Sequence, residues 1–522
     1  MTKPIKIALI VLGILLILFI VGIFVSNSLI KSKVEDLLTN SMPESINVEY
    51  DDIDVSAWRG RVSIINPRVS NFASKSGRLN SSLKMDTLIV DDFGYWDYFK
   101  NENITISKIL IKGPNLTYYH DKPNEEKEYK YSKLEKLKRN ISVKKFQISN
   151  GKFEVRKREN DSLLLKSQQL DADVSSIRMN SKTVKNRIPF LFDSYTVNLD
   201  SLFFNLNIYE NLKIGSAAIS ERQAQFNGLK LYTKYSEQKL NQMISVERDH
   251  FDVSIDSLIL KQQQFGYEQD SIFYFKVPQI VFYTPEMHLY RNNLIPDDSS
   301  IKPMYSKSLR GLNFNLTLNE ILLKNATITY AEKVKVENPP GEISFSNMNA
   351  TIKNLSNTYS ESEKTTLDID AIFMKSSPIH VDWSFDVNNA NDHFAFKADI
   401  GNLPAQDLNT FTEPNLNVLF EGELLKTYFT IDGNVNQSAV NLRANYDDFK
   451  VTVLQKEGKK KNKLLSAIAN LFIKNDSDNK PGNFREGNKD EIERDKTKSI
   501  FNFLWLNARA GLLSALTGDG EK

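Results

Sequence analysis

The chain has 522 residues, and its 67 Lys and Arg nearly cancel its 65 Asp and Glu. The basic residues are spread along the chain, so no global field argues for nucleic acid. The absence of cysteine excludes disulfides, thiol catalysis and cysteine metal ligation, and leaves the redox compartment open.

The first predicted element is an anchor, residues 1–28. Ile7 to Val25 carries no charge over nineteen residues, which at ~1.5 Å per residue matches a bilayer core of ~30 Å. A cleaved signal peptide is the rival, but Val25-Ser26-Asn27-Ser28 is a poor small-x-small site. Lys3 and Lys6 precede the span, and the basic Lys31 and Lys33 after it make the charge asymmetry slight. The expectation is a single-pass membrane protein with a cytoplasmic N-terminus and the bulk of the chain outside the cytoplasm. Leu29, Ile30, Val34, Leu37 and Leu38 continue at helical spacing towards Pro43, predicting an amphipathic stem over 29–45 that docks on the first strands.

From Ile46 to about Gln455 apolar and polar residues alternate, with Val, Ile, Phe, Tyr and Thr enriched. One pattern recurs: apolar residues at i, i+2, i+5 and i+7, as in Ile104 to Ile111. Side chains on a strand alternate faces, so four such residues share a face only if the strand carries a bulge or bend near Ser107-Lys108. The pattern returns at Val48–Val55, Leu83–Val90, Ile141–Ile148, Val197–Phe204, Val253–Leu260, Leu316–Leu323 and Ile343–Ala350, without a fixed period. It predicts a strand-bend-strand unit reused along an extended sheet, whose alternation is clearest in its last third, so that 46–308 is followed by a more regular meander over 309–455. In the meander, runs such as Leu367-Ile369-Ala371-Phe373 and Ile379-Val381-Trp383-Phe385 oppose a polar face, the mark of antiparallel pairing. Ile272–Val277 and Ile280–Tyr283 are apolar on both faces, so part of that region is covered. Asp121–Asn140 and Arg291–Ser308 read as solvated loops.

Beyond the body, Lys459, Lys460, Lys461 and Lys463 precede the stripe Leu464, Leu465, Ile468, Leu471, which reads as a basic amphipathic helix over 456–474. Such a helix either caps the sheet or lies on an anionic membrane. The charged stretch 475–498 is expected to be a flexible linker. Residues 499–518 form a second amphipathic helix with Phe501, Leu504, Trp505 and Leu512, which could contact the body, a partner or a membrane.

No phosphate-binding glycine loop, HExxH, GxSxG or EF-hand loop is present. The five histidines, His120, His250, His288, His380 and His393, are scattered, and Asp51-Asp52, Asp91-Asp92 and Asp447-Asp448 sit where turns are expected. No enzyme, metal or cofactor is expected. The tripeptides Asp86-Thr87-Leu88, Asp161-Ser162-Leu163, Asp200-Ser201-Leu202, Asp256-Ser257-Leu258 and Asp270-Ser271-Ile272 suit bulges and turns, and also resemble a bacterial periplasmic O-glycosylation sequon.

The uncleaved anchor, then Ile46-Asn-Val-Glu-Tyr50 and Trp58-Arg-Gly-Arg-Val-Ser-Ile64, the repeated strand unit and the amphipathic tail together resemble the AsmA-like family, envelope proteins related to bridge-like lipid transfer proteins. The resemblance implies that the membrane is the inner membrane and that the bulk of the chain lies in the periplasm. It also implies a mainly β fold: a long, bent antiparallel sheet forming a groove, apolar inside, that shields phospholipid acyl chains between inner and outer membranes. On that reading the groove is lined by Ile106, Ile109, Ile111, Leu199, Leu202, Val253, Ile255, Leu258, Leu316, Leu318 and Ile321. The alternative is an envelope scaffold or outer-membrane assembly factor in which the same apolar faces close into a packed core.

Overall fold

A computed structural model describes residues 3–73, 76–121, 139–268, 271–359, 363–455, 477 and 483–517, without the side chains of 3–14, 17 and 18. The chain is mainly β, with 26 strands among the described residues hydrogen-bonded as mixed sheet. It divides into two compact units, one of residues 1–206 and 213–221, the other of 207–212 and 222–522. The division falls near residue 210.

The first unit opens with helix Lys3–Thr39. The predicted span Ile7–Val25 lies partly outside the described side chains, and among the described residues no helix is long and apolar enough to cross a membrane. The predicted stem does dock on the first strands. The Ala57 N–H donates to Asn27 Oδ1 at 2.7 Å and Lys31 Nζ lies 2.7 Å from Asp52. Ile30, Val34 and Leu38 are half-buried while Leu29 and Leu37 are exposed, so the i, i+4, i+8 stripe is the inward one.

Each of the first passes of chain in this unit is split near its middle. Ile46–Glu49 and Asp52–Ser56 form one pass; Arg68–Phe72 pairs with the first half and Arg61–Ile65 with the second. Leu79–Lys84 with Thr87–Phe93 and Ile104–Lys112 with Asn115–His120 follow the same plan. The unbroken strand Ile141–Lys157 then runs parallel to both halves of the pass before it, and antiparallel strands Leu163–Met179 and Ser194–Asn205 follow.

The second unit repeats the plan. Ile272–Tyr283 and Glu286–Asn292 make a split pass that pairs antiparallel with His250–Lys261 and parallel with the unbroken Asn315–Lys333, after which pairing is antiparallel through Gln437–Val453. The sheet is therefore mixed rather than purely antiparallel. Parallel neighbours need a crossover of about a dozen residues or more, and that explains the two long polar stretches. Most of the first, 122–138, lies outside the described residues. The second is a solvated loop only in its first part: Leu294 and Ile301 are exposed, but Met304 is buried, helix Tyr305–Arg310 follows it, and Asp392 accepts from Ser306 at 2.8 Å and Arg310 at 2.6 Å.

The parity slip is real, and its origin is shared between strands. Val48–Val55 and Leu83–Val90 break at Tyr50-Asp51 and Met85-Asp86, between named strands. Val197–Phe204 and Ile343–Ala350 carry the left-handed residues Ser201 (φ 57°) and Asn347 (φ 48°), each with a shift of register. The other four copies keep their register. Ser107, Lys144, Asp256 and Asn319 instead face left-handed Asp92, Ser176, Gly228 and Asn354 on the adjacent strand. The bulge expected at Ser107-Lys108 is thus a kink at Asp92, whose carboxylate accepts from the Ser107 hydroxyl at 2.5 Å.

At the C-terminus, the stretch expected to be a flexible linker contains strand Arg485–Glu493, paired with Gln437–Val453. Its charges hide it from pattern reading yet suit an edge strand, which they protect from further pairing. Helix Ile500–Thr517 packs on these two strands. Gly487 permits that approach, since a Cβ there would stand 2.1 Å from the Gly511 carbonyl oxygen.

Candidate functional site

The feature with functional reach is an apolar face in each unit, built by register. In the first unit Val55 lies opposite Val62, Val62 opposite Val90, Val90 opposite Ile109, Ile109 opposite Phe146, Phe146 opposite Val174 and Val174 opposite Tyr195. A second row runs beside it through Ile53, Ile64, Leu88, Ile111, Ile148, Ala172 and Val197. Every member of the first row is half-buried. The unit's described α-helices dock on the first strands and on Ile104–Lys112, and the clusters of tightly buried apolar residues found among the described residues all belong to the other unit. The alternate side chains include Asp54, Ser63, Gln147, Asp173 and Thr196, with Lys145 3.2 Å from Asp173, so the two faces differ in polarity although Ile89 and Leu110 interrupt the polar one.

In the second unit the corresponding row crosses ten strands: Phe226, Leu258, Phe282, Leu323, Ala350, Ile369, Val381, Ala398, Phe429 and Leu442 are successive cross-strand partners. Its two ends differ. Near the C-terminus Ile500, Phe503 and Leu504 pack with Val381, Trp383, Phe394 and Ile431, and Ala515 and Leu516 with Leu442 and Tyr446, so the helix closes the face. Nearer Leu258, the cluster of Val277, Ile280, Leu318 and Ile321 is surrounded by half-buried Leu258, Leu260, Phe275, Phe282, Leu316 and Leu323.

The residues expected to line a groove distribute accordingly. Leu258, Leu316, Leu318 and Ile321 meet in that cluster, and the i, i+2, i+5, i+7 residues Leu316, Leu318, Ile321 and Leu323 do share it. Ile109 and Ile111 stand in the two rows of the first unit, and Ile106 lies opposite Phe93 and Val143. Leu199 is buried and Leu202 half-buried, at the left-handed Ser201. Val253 and Ile255 pair with Leu231 and Leu229. Sequence reading missed Phe275, Val277, Ile280 and Phe282, whose spacing is the same i, i+2, i+5, i+7; the covering of both faces there is borne out by buried Val281.

Of the contacts expected of the C-terminal helix, with the body, a partner or a membrane, the structure shows the one with the body, which takes Leu504 and Leu512 out of the partner or membrane set. Leu504 is buried and Leu512 packs on the body, because the helix lies on its broadest apolar stripe; Phe501 and Trp505 remain exposed. Leu464, Leu465, Ile468 and Leu471 lie outside the described residues.

Charge fixes the approach to this helix. Lys498 reaches buried Glu247 at 2.9 Å and Asp297 at 3.0 Å, and burial, which opposes its charge, is outweighed by those partners. Arg291 is likewise opposed by burial, yet its paired hydrogen bonds to Asp249, at 2.6 and 2.9 Å, hold it charged. Burial pushes the neighbouring Glu332 carboxyl up. Among the described residues, Asp368, His380 and Asp382 are the group with metal-ligand spacing; they sit on the polar face, and His380 Nδ1 lies 2.9 Å from Asp370, whose hydrogen bond raises its pKa. That geometry is one of cross-strand ion pairing.

No family model matches the chain, and no curated protein matches it.

Proposed function

We propose that the protein is a membrane-anchored envelope protein whose apolar sheet faces bind phospholipid acyl chains and assist lipid movement through the periplasm. One observation carries the reading: the seven-strand apolar row of the first unit is half-buried, with no cluster of tightly buried residues packed on it among the described residues. A soluble sheet ordinarily buries such a face against a second layer. An acyl chain laid across these partners gains about 0.8 kcal/mol per buried CH₂, and a continuous row keeps that gain level from strand to strand.

The proposal includes an inner-membrane anchor at Ile7–Val25, a cytoplasmic N-terminus and a non-enzymatic role, and it follows the AsmA-like resemblance. Binding is assigned to the first unit and to the Leu258–Leu323 end of the second, since the C-terminal helix occupies the rest. That closed end is what favours the second reading, a scaffold with a packed core.

Site-specific photo-crosslinking in cells tests it. A photoreactive phenylalanine at Ile109, Phe146 or Leu316 is expected to capture phospholipid, and one at Gln147 or Asp173 is not. Absence of lipid adducts at all three apolar positions overturns the reading in favour of the scaffold.

A further inference from the structure

One end of the first unit gathers exposed aromatic and basic residues. Strands Arg61–Ile65 and Thr87–Phe93 pair Val62 with Val90, so the turn before Arg61 and the connection after Phe93 lie side by side, and the Phe93 N–H donates to the Gly60 carbonyl at 3.0 Å. The Ile104 N–H donates to Asn140 at 2.8 Å and Arg139 to the Tyr98 carbonyl at 3.2 Å. Ile141 lies opposite Met179, which brings the 180–193 connection to the same end. Trp58 is 73% exposed, Trp96 69%, Phe99 79% and Leu191 50%. Among the described residues outside the N-terminal helix, Met42 and Leu206 are the other large apolar residues of this unit so exposed, apart from Tyr95 beside Trp96.

The N-terminal helix leaves the unit at this end. Asn27 meets Ala57 and Lys31 meets Asp52, so the helix runs antiparallel to Asp52–Ser56 and its earlier residues project past the Ala57–Arg59 turn. There the Phe19 ring meets the Trp58 ring edge-on at 5.4 Å, and Phe19 belongs to the uncharged stretch Ile7–Val25. Among the described residues, the connections carry Arg59, Lys100, Arg139, Lys182, Lys185 and Arg187 against Asp97, Glu102 and Asp193. Asp193 is paired with Arg178, whereas Asp97, which accepts from Thr105 and Asn101, keeps its charge, so the cations outnumber the anions without being unopposed. Lys100 Nζ stands 4.5 Å from the centre of the Trp96 ring. Exposed indole rings interleaved with cations, beside the last third of an apolar helix, are what a membrane interface takes: rings between the acyl boundary and the headgroups, ammonium and guanidinium groups on anionic lipid.

We propose that this end of the first unit rests on an anionic bilayer surface, with Trp58, Trp96 and Phe99 inserted at headgroup depth. The proposal rests on the reading of the N-terminal helix as an anchor and is independent of acyl chains on the sheet.

The test uses full-length protein reconstituted into phosphatidylcholine and phosphatidylglycerol vesicles, with lipids brominated near the headgroup as quenchers of its four tryptophans, Trp58, Trp96, Trp383 and Trp505. The emission of Trp58 and Trp96 is expected to be quenched, and W58F/W96F, which changes two exposed residues, to lose the quench while keeping the far-ultraviolet circular dichroism. K100E and K182E are each expected to weaken the docked population by up to about fivefold, an effect absent in vesicles of phosphatidylcholine alone. Quenching that survives W58F/W96F comes from Trp383 or Trp505 and overturns the proposal, as does the absence of quenching in the unmodified protein. Failure of acyl-chain binding reads differently, as loss of the crosslink at Ile109 with this quench intact.

Discussion

The Ser438 hydroxyl donates to the Asn507 side-chain oxygen at 2.9 Å, with both residues fully enclosed between the C-terminal helix and the sheet. Asn507 also donates to the Phe503 carbonyl at 2.8 Å. It is a polar pin in an apolar interface, and it fixes the rotation of the helix. N507A strands the Ser438 hydroxyl and is expected to destabilise the second unit by about 1–3 kcal/mol, read from urea denaturation. S438A/N507A should cost less than the sum of the single changes, and full additivity would show that the pair is not coupled.

Asn347 holds a left-handed φ of 48° at the register shift of Gly341–Ser356. N347V forces a β-branched side chain into that conformation and is expected to cost roughly 1–2 kcal/mol. N347G should be tolerated. Equal melting temperatures for the two variants would mean the slip does not need that backbone conformation.

A charge on the half-buried row of the first unit should block lipid without unfolding the protein. I109K and F146E are expected to abolish lipid co-purification while changing the melting temperature little, whereas Q147K, on the alternate face, leaves bound lipid at the unmodified level. Lipid retained by I109K and F146E would place the cargo elsewhere.

Burial raises the Glu332 pKa in the folded chain above its ordinary value. The folded state therefore holds this proton more tightly than the unfolded state, so stability is greatest below the ordinary carboxylate range and falls as pH rises through the folded value. E332Q removes the charge and keeps an acceptor for the Asn293 amide. The urea midpoint of E332Q is expected to exceed that of the unmodified protein at pH 8 and to match it at pH 4. A lower midpoint at pH 8 would mean that attraction to Arg291 outweighs burial.

Much of the β body was legible because exposure alternates with period 2: the runs around Leu367, Val381, Phe396, Ile431 and Leu442 are strands in the expected order. The slip at Ser201 and Asn347 was legible because two apolar pairs of opposite parity must bend to share a face. What alternation does not encode is the partner. Ile141–Ile148 reads the same beside a parallel or an antiparallel neighbour, so the mixed pairing was invisible. The kink at Asp92 is not legible at its own position, because the apolar pattern around Ser107 on the adjacent strand is the one that records it. Arg485–Glu493 was missed because an edge strand under a helix can contribute Gly487 where a Leu would otherwise announce it.

The two parallel seams have a consequence for how the chain assembles. Before Ile104–Lys112 meets Ile141–Lys157, every pairing in the first unit joins passes close in sequence, and the same holds for the antiparallel run after Asn315–Lys333. Local pairing closes short loops and is fast, while a seam must first close a long connection. Synthesis from the N-terminus therefore yields hairpins in step with the emerging chain, and the seams set the slow phases. Shortening the 293–314 connection is expected to change the refolding rate of the second unit far more than shortening any hairpin turn.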